Sequence, residues 1–168
     1  MKNIFLIGMP SSGKSTLGRK LARALGYRFV DLDKLIVKDQ KKTIPEIFQE
    51  KGEGYFREVE SRILHQTRPD QWLVVATGGG APCFFDNMDF IKASGLSVFI
   101  NVPPAELAQR ILLHGKDDRP LLSGVTQLEH ELEERLRLRL PFYTQADFTV
   151  TQETSQVNQL LKLVTPYL

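Results

Sequence analysis

The chain has 168 residues, of which 42% are hydrophobic and 25% charged, and its formal net charge is +2. This composition is typical of one globular domain and excludes a disordered chain and a fibrous repeat. The nearly balanced charge predicts neither nucleic-acid nor membrane binding, although small anionic ligands remain compatible with it.

Two further features bear on the cellular compartment. Cys83 is the only cysteine, which excludes an intramolecular disulfide and a cysteine-based zinc site and fits a reducing environment. The first apolar run ends at Gly8, too short for a signal peptide, and no run approaches the roughly 18 residues of a membrane span. We therefore expect a cytoplasmic protein.

Five short apolar runs predict strands, and they alternate with segments of helical period. Most read as continuous apolar stretches, which is typical of strands covered on both faces. The prediction is a single α/β domain over residues 1–168, with a five-stranded, mostly parallel sheet in a three-layer α/β/α arrangement. The predicted strands are Ile4–Ile7, Arg28–Asp31, Leu73–Thr77, Leu96–Asn101 and Asp147–Thr151.

Helical period and capping signals predict the first helices. Lys14–Leu25 has leucines at four-residue spacing and ends before Gly26. Thr43 and Glu46 have the spacing of a capping box, so a helix should begin there and run to about Gly52. A further helix should extend from about Tyr55 to His65.

Late in the chain, a leucine every four residues predicts a long helix that Pro141 closes or kinks. Its other faces offer the pairs Glu131/Arg135 and Glu133/Arg137. Before this helix, the segment from His114 to Gly124 lacks helical period, and loops of this length are usually functional lids or disordered. The leucines are Leu128, Leu132, Leu136 and Leu140.

The chemistry begins at Gly8-Met9-Pro10-Ser11-Ser12-Gly13-Lys14-Ser15, which fits the phosphate-loop pattern between a strand and a helix. Its backbone amides and the positive end of the helix dipole form an anion cradle. Lys14 would reach the β- and γ-phosphates of a nucleotide, and the Ser15 hydroxyl would bind Mg²⁺. The alternative is a glycine-rich turn with a solvated lysine.

Two further segments could complete this site. Asp31 and Asp33 end the second strand, and ligands collect at the carboxyl ends of parallel strands, although Asp33 could simply cap the helix that begins at Lys34. Gly78-Gly79-Gly80 follows the third strand. Because glycine has no Cβ, this segment permits close approach of a substrate, or it forms a tight turn, or both.

Taken in order, these motifs resemble the shikimate kinase family, small kinases with the P-loop NTPase fold. The resemblance continues through Ile44-Pro45-Glu46-Ile47-Phe48, Gly52-Glu53-x-x-Phe56-Arg57-x-x-Glu60, Arg119-Pro120-Leu121-Leu122 and Arg139-Leu140-Pro141-Phe142-Tyr143, and it covers nearly the whole chain. It implies transfer of the ATP γ-phosphoryl group to the 3-hydroxyl of shikimate in the aromatic amino acid (chorismate) pathway. The small size of the chain and the lack of an obvious exposed apolar patch predict a monomer.

The resemblance also implies roles at the acceptor. Asp33 would bind shikimate hydroxyls and orient or deprotonate the attacking one, while Asp31 would lie near Mg²⁺, often through water. The shikimate carboxylate would be held by Arg57 and Arg139, with Glu60 fixing an arginine. The remaining pocket residues would be the glycines Gly78, Gly79 and Gly80 and the apolar Phe48 and Phe56, within a helical acceptor-binding region of about residues 32–62.

On the nucleotide side, the resemblance implies that Arg119 lies on a mobile lid of about residues 113–124 and stabilises the transferring group. Arg110 would cover the adenine, and the adenine loop would lie near Thr151 to Ser155. Lys14, Asp33 and Arg119 would be the catalytic residues, with Mg²⁺ as cofactor. ATP would contact Arg110, Arg119 and the loop residues Gly8, Met9, Pro10, Ser11, Ser12, Gly13, Lys14, Ser15 and Thr16.

Several alternatives remain open on the sequence. The chain could phosphorylate gluconate or a nucleoside monophosphate, or it could be a regulatory domain that has lost catalysis. Arg57 and Glu60 could be an exposed helical pair, and Arg139 could belong to a solvated face with Arg135 and Arg137. The family often has glycine where this chain has Ser11, so a slightly altered loop is expected.

Overall fold

A computed structural model describes residues 1–114, 124–151 and 156–168. Within these residues the chain forms a five-stranded sheet in the order β2-β3-β1-β4-β5, and every neighbouring pair is parallel. The predicted sheet is confirmed, and no strand boundary differs from its prediction by more than one residue. The strands are β1 (Asn3–Ile7), β2 (Arg28–Asp31), β3 (Leu73–Ala76), β4 (Gly95–Asn101) and β5 (Phe148–Thr151).

Helices connect the strands. In the described part of the chain they are α1 (Lys14–Leu25), α2 (Leu32–Gln40), α3 (Ile44–His65), α4 (Asn87–Ser94), α5 (Pro104–His114), α6 (Gly124–Tyr143) and α7 (Val157–Val164). Short 3₁₀ turns follow β3 and α7, at Ala81–Cys83 and Thr165–Tyr167. None of the described helices is long and apolar enough to cross a bilayer.

The central strand β1 shows how the layers are built. The Phe5 ring meets Phe90 of α4 edge to face, with ring centroids 6.5 Å apart. The next residue, Leu6, packs instead against α1, where its Cδ1 would lie 3.2 Å from a Cβ added at Gly18. Because successive side chains of a strand point to opposite faces, helices cover both sides of the sheet. The predicted three-layer arrangement is confirmed.

The capping box of α3 forms as predicted. The Glu46 backbone amide donates to Thr43 Oγ1 at 3.3 Å, and the Thr43 amide donates to Glu46 Oε2 at 3.0 Å. Gly52, at φ 83° and ψ 172°, breaks the helix, so the two predicted helices are the two halves of α3. The second half buries Phe56, Arg57 and Glu60.

The predicted long helix forms as α6. Pro141 does not close it, because in the last turn the missing amide removes only one hydrogen bond and the helix continues to Tyr143; a kink at Pro141 stays a prediction. The predicted Glu133/Arg137 pair is wrong. Arg137 pairs with Glu134 at 3.0 Å and not with Glu133, since neighbours three residues apart are also close on a helix.

The packing of α1 on the sheet generates a stability prediction. A Cβ at Gly18 would lie 2.6 Å from Cε2 of Phe29 on β2. Overpacking of this kind typically costs about 1–3 kcal/mol, so Gly18→Ala should lower the free energy of unfolding measured with urea.

Gly54→Ala in α3 is the matched control, because nothing lies within 4 Å of its added Cβ. This variant should lose no stability. Equal effects of the two substitutions would show that the contact between α1 and β2 is less tight than described.

Candidate active site

The phosphate loop connects β1 to α1, as the sequence predicts. Gly8 has φ 145°, and a Cβ there would lie 2.7 Å from the Ile100 carbonyl oxygen of β4, so only glycine fits. Ser11 has φ 65°, in the left-handed region that favours glycine, so the altered loop expected from a serine here takes the form of a backbone conformation that side chains rarely adopt. The loop keeps its form with serine, at the cost of local backbone strain.

Lys14 lies buried at the start of α1. Its ammonium donates to the carbonyl oxygens of Gly8 at 2.8 Å and Met9 at 2.7 Å, which holds the side chain over the loop. Burial lowers the pKa of Lys14 to about 8, while the nearby Asp33 carboxylate acts in the opposite direction. The alternative of a solvated lysine is therefore wrong.

Asp31 joins the end of β2 to the phosphate loop. Ser15 Oγ donates to Asp31 Oδ2 at 2.9 Å, although β3 lies between β1 and β2 in the sheet. Asp31 Oδ1 also accepts from the Lys34 amide at 3.3 Å, so Asp31 is the cap of α2. The alternative in which Asp33 caps this helix is wrong.

The Ser15 and Asp31 oxygens fit a magnesium ion. Mg²⁺ prefers hard oxygen ligands and usually binds one or two protein groups together with phosphates and water. Among the described residues, no cluster of three or more His, Cys, Asp or Glu side chains could hold a metal. A small oxygen site beside the loop, completed by nucleotide phosphates, is consistent with both observations.

Asp33 lies in the first turn of α2 and is half-buried. Burial raises its pKa, and the Asp31 carboxylate adds to this effect, whereas Lys14 and Arg57 oppose it. Asp33 Oδ1 would lie 3.0 Å from a Cβ added at Gly78. The carboxylate therefore sits between the phosphate loop and the triple glycine.

The triple glycine is closely surrounded by site side chains. A Cβ at Gly79 would lie 2.7 Å from Pro10 and 2.9 Å from Arg139 Nη1, and one at Gly80 would lie 2.6 Å from Arg57 Nη1. A Cβ at Gly78 would also come within 2.8 Å of Glu60 Oε2. The absence of Cβ atoms lets the predicted acceptor residues converge here, while the same segment forms the turn into Ala81–Cys83.

Arg57 forms a buried ion pair on α3. Its Nη1 donates to Glu60 Oε1 at 2.8 Å and its Nε to Glu53 Oε1 at 3.3 Å. Arg57 is 8% exposed and Glu60 1% exposed, so the alternative of an exposed helical pair is wrong. Burial raises the pKa of Glu60, and the Arg57 guanidinium opposes this shift.

Helix α6 brings Arg139 and Tyr143 to the same place. Arg139 is half-buried against Gly79, whereas the Arg137 side chain is 66% exposed, so Arg139 does not share its solvated face. The Tyr143 hydroxyl, one helical turn later, donates to the Gly79 carbonyl. Two side chains of α6 thus contact the middle glycine.

Phe48 and Phe56 pack together beside this cluster, with ring centroids 4.7 Å apart. Phe56 is buried, and the Arg57 guanidinium carbon lies 5.2 Å from its ring centroid. Phe48 is partly exposed. The pair forms an apolar surface adjoining the charged groups.

A cleft of 820 Å³ connects several of these groups. It contains phosphate-loop residues together with both aspartates and Gly79, so one opening joins the nucleotide side to the triple glycine. Arg139 adjoins it at Gly79, whereas Arg57 and Glu60 approach Gly80 and Gly78, which do not line it. The lining residues are Pro10, Ser11, Gly13, Lys14, Ser15, Thr16, Asp31, Asp33, Lys34, Val37, Thr77, Gly79, Arg110 and His114.

The structure describes only some of the other residues that were predicted to bind the nucleotide. Arg110 Nη1 donates to the Ser11 carbonyl at 3.1 Å, so it lies against the phosphate loop; its position over an adenine stays a prediction. Arg119 and most of the predicted lid lie outside the described residues, as does the predicted adenine loop beyond Thr151.

Sequence reasoning assigned no role to several residues of this cluster. Glu53 stands four residues before Arg57, a spacing that could have indicated the pair. Tyr143 ends the motif that begins at Arg139, but its bond to Gly79 depends on tertiary packing. The Phe84 ring centroid lies 4.2 Å from the Arg57 guanidinium carbon, and no spacing signal points to this contact.

A parallel sheet with a phosphate loop, a buried lysine and an adjoining charged pocket defines a phosphate-loop kinase. The shikimate kinase family model matches residues 10–166. The chain therefore belongs to the shikimate kinase family and is an ATP-dependent kinase; the family, fold and enzyme class predicted from the sequence are confirmed.

Relatives resemble the chain over nearly its full length. A shikimate kinase of Parabacteroides distasonis is 44% identical over 91% of this chain and 89% of its own, and one of Clostridium botulinum is 41% identical over 99% and 96%. The crystal structure of shikimate kinase from Bacteroides thetaiotaomicron has a TM-score of 0.88 at 40% identity, covering 98% of both chains. Shikimate kinase from Acinetobacter baumannii in complex with shikimate has a TM-score of 0.87 at 34% identity, covering 99% and 94%.

The bond from Tyr143 to Gly79 generates a second prediction. Tyr143→Phe leaves the Gly79 carbonyl without this donor, and loss of one intramolecular hydrogen bond typically costs about 0.5–1.5 kcal/mol. We expect a loss of this size in the free energy of unfolding measured with urea.

Tyr27→Phe is the control, because the buried Tyr27 hydroxyl has no hydrogen-bond partner among the described residues. Its removal should cost nothing or stabilise the protein. If both variants have the same stability, the hydroxyl of Tyr143 does not anchor α6 to the triple glycine.

Proposed function

We propose that the chain transfers the γ-phosphoryl group of ATP to the 3-hydroxyl of shikimate, giving shikimate 3-phosphate and ADP in the chorismate pathway to aromatic amino acids. One observation carries the proposal: a phosphate loop and two arginines suited to a carboxylate meet at Gly78–Gly80. The chain's similarity to a shikimate kinase in complex with shikimate supports this choice of acceptor.

The nucleotide phosphates would bind in the loop between β1 and α1. Phosphoryl transfer needs positioning and positive charge around the transferring group more than covalent chemistry. Lys14 would supply charge at the β- and γ-phosphates, and Arg110 would approach from α5. Arg119 would act from the lid at about residues 113–124, whose closure would exclude water as a competing acceptor.

Ser15 and Asp31 would hold Mg²⁺, with Asp31 acting through a bound water. The ion would neutralise charge that develops on the phosphate oxygens. Their mutual hydrogen bond supports the assignment, because it orients both oxygens toward the same part of the cleft.

The acceptor would bind through its carboxylate. Arg57 and Arg139 lie on different helices but approach neighbouring glycines, so their guanidinium groups can converge on one anion. Glu60 would keep Arg57 in place, and Phe48 and Phe56 would contact the apolar part of the ring. This arrangement favours a small carboxylic acid over a nucleoside monophosphate.

Asp33 would contact the attacking hydroxyl. Its raised pKa makes it a better proton acceptor than an ordinary carboxylate, which suits deprotonation, while its position between Lys14 and Gly78 suits orientation. Lys14, Asp33 and Arg119 would be the catalytic residues.

The proposal includes a single domain over residues 1–168, acting as a monomer in the cytoplasm. Residues 32–62 would form the acceptor-binding region, which the packing of α2 against α3 supports.

Burial raises the pKa of Cys83 to about 11, so this thiol would stay protonated, which is compatible with a reducing compartment.

The proposal is tested by ADP release from the purified protein with Mg-ATP, with and without shikimate and with gluconate, quinate and AMP as competing acceptors. We expect strong stimulation by shikimate alone. Stimulation by another acceptor would retain the phosphate loop and overturn the acceptor assignment. Nucleotide binding without stimulation would favour the regulatory alternative.

The role of Asp33 generates a third prediction. Asp33→Asn retains the shape of the side chain but is a far poorer base, so kcat should fall at least about 100-fold while ATP affinity changes little. Asp39→Asn, the same substitution on an exposed part of α2, should retain near-normal turnover. Near-normal kcat in Asp33→Asn would remove this residue from catalysis.

A further inference from the structure

The guanidinium of Arg57 is held at its edge by two carboxylates. Nη1 donates to Glu60 and Nε to Glu53, and the third nitrogen, Nη2, has no hydrogen-bond partner among the described residues. Nη2 faces the Gly80 backbone, where an added Cβ would lie 2.7 Å away. The edge contacts thus leave a donor for an incoming anion at the triple glycine.

Edge contacts alone do not fix the plane of the guanidinium. The Arg57 guanidinium lies over the Phe84 ring, with its carbon 4.2 Å from the ring centroid, and its distance from the Phe56 ring centroid is longer, at 5.2 Å. A cation over an aromatic face is attracted by the ring quadrupole, and this contact resists tilting. Arg57 is only 8% exposed, which strengthens the neighbouring charge interactions.

Phe84 is itself held in place. Its carbonyl accepts from the Asn87 amide at 3.2 Å, and the fully buried Asn87 side chain donates to the Ala81 carbonyl at 2.8 Å. Ser61, one helical turn beyond Arg57 on α3, donates to Asn87 Oδ1 at 2.7 Å. Asn87 therefore ties the segment that carries Phe84 to the helix that carries Arg57.

We propose that Phe84 is a positioning residue for the acceptor: its ring sets the plane in which Arg57 presents Nη2 to the acceptor's carboxylate. The inference rests on the proposed function and extends it to a residue outside the motifs of the sequence analysis. Phe84 acts through Arg57, so its removal should affect binding of the acceptor and spare the nucleotide side.

The test compares Phe84→Leu with Phe84→Trp, which keeps an aromatic face, and with Phe85→Leu as a control. Phe85 is the adjacent residue and is 65% exposed. Phe84→Leu should raise KM for shikimate about 5- to 30-fold, the range that loss of a partly desolvated cation–π contact implies, with KM for ATP unchanged and kcat changed less than KM. Phe84→Trp and Phe85→Leu should stay near the wild-type values.

A double-mutant cycle separates positioning from a merely structural effect. Lysine has no planar group to align, so in an Arg57→Lys background the Phe84→Leu substitution should add little to KM for shikimate. If Phe84→Leu does not fold, Phe84→Met replaces it with the same expected results.

The outcomes distinguish this inference from the proposed function. Absence of shikimate-dependent ADP release in the wild-type protein would overturn both. If the wild-type protein responds to shikimate but Phe84→Leu leaves KM for shikimate unchanged, only the role of Phe84 would be overturned. The role of Phe84 would also be overturned if Phe84→Leu raised KM for shikimate equally with and without the Arg57→Lys substitution. The same holds if Phe84→Leu raised KM for ATP as much as KM for shikimate.

Discussion

The close approach of charged side chains to a backbone without Cβ atoms is the constraint on which the site depends. Asp33, Glu60, Arg139 and Arg57 all come within about 3 Å of the positions that Cβ atoms would occupy on Gly78–Gly80. These side chains belong to α2, α3 and α6. The triple glycine therefore determines how near three separate helices can bring their charges to one another and to the phosphate loop.

Because these charges are buried, each one needs the opposite charge beside it to offset the cost of leaving water. The Arg57–Glu60 pair is almost fully removed from water, and burial raises the pKa of both Glu60 and Asp33. Removing one partner of such a pair leaves the other charge uncompensated, which is far more costly than the net contribution of the pair. The same low exposure strengthens the attraction for an acceptor's carboxylate, so stability and recognition arise from the same contacts.

The fold and the phosphate loop could be predicted from the sequence because their signals are local. The five strands followed from apolar runs that alternate with helical segments, and the two halves of α3 from a capping box and a later glycine. The contacts of Phe84 with Arg57 and of Tyr143 with Gly79 join residues 27 and 64 positions apart, which no local pattern encodes. The sequence offered Asp33 as a cap for a helix beginning at Lys34, whereas the helix begins two residues earlier, at Leu32, and its cap is Asp31.

The most direct measurement is the affinity of Gly80→Ala for shikimate, determined by calorimetry beside wild type and Gly54→Ala. The three atoms nearest to the added methyl group would all belong to the Arg57 guanidinium, which would have to shift, whereas no phosphate-loop atom is among them, so ATP affinity should be retained. Displacing one charge-assisted contact should weaken shikimate binding about 10- to 100-fold. Wild-type affinity in Gly80→Ala, with folding intact, would contradict the claim that Arg57 at the triple glycine holds the acceptor.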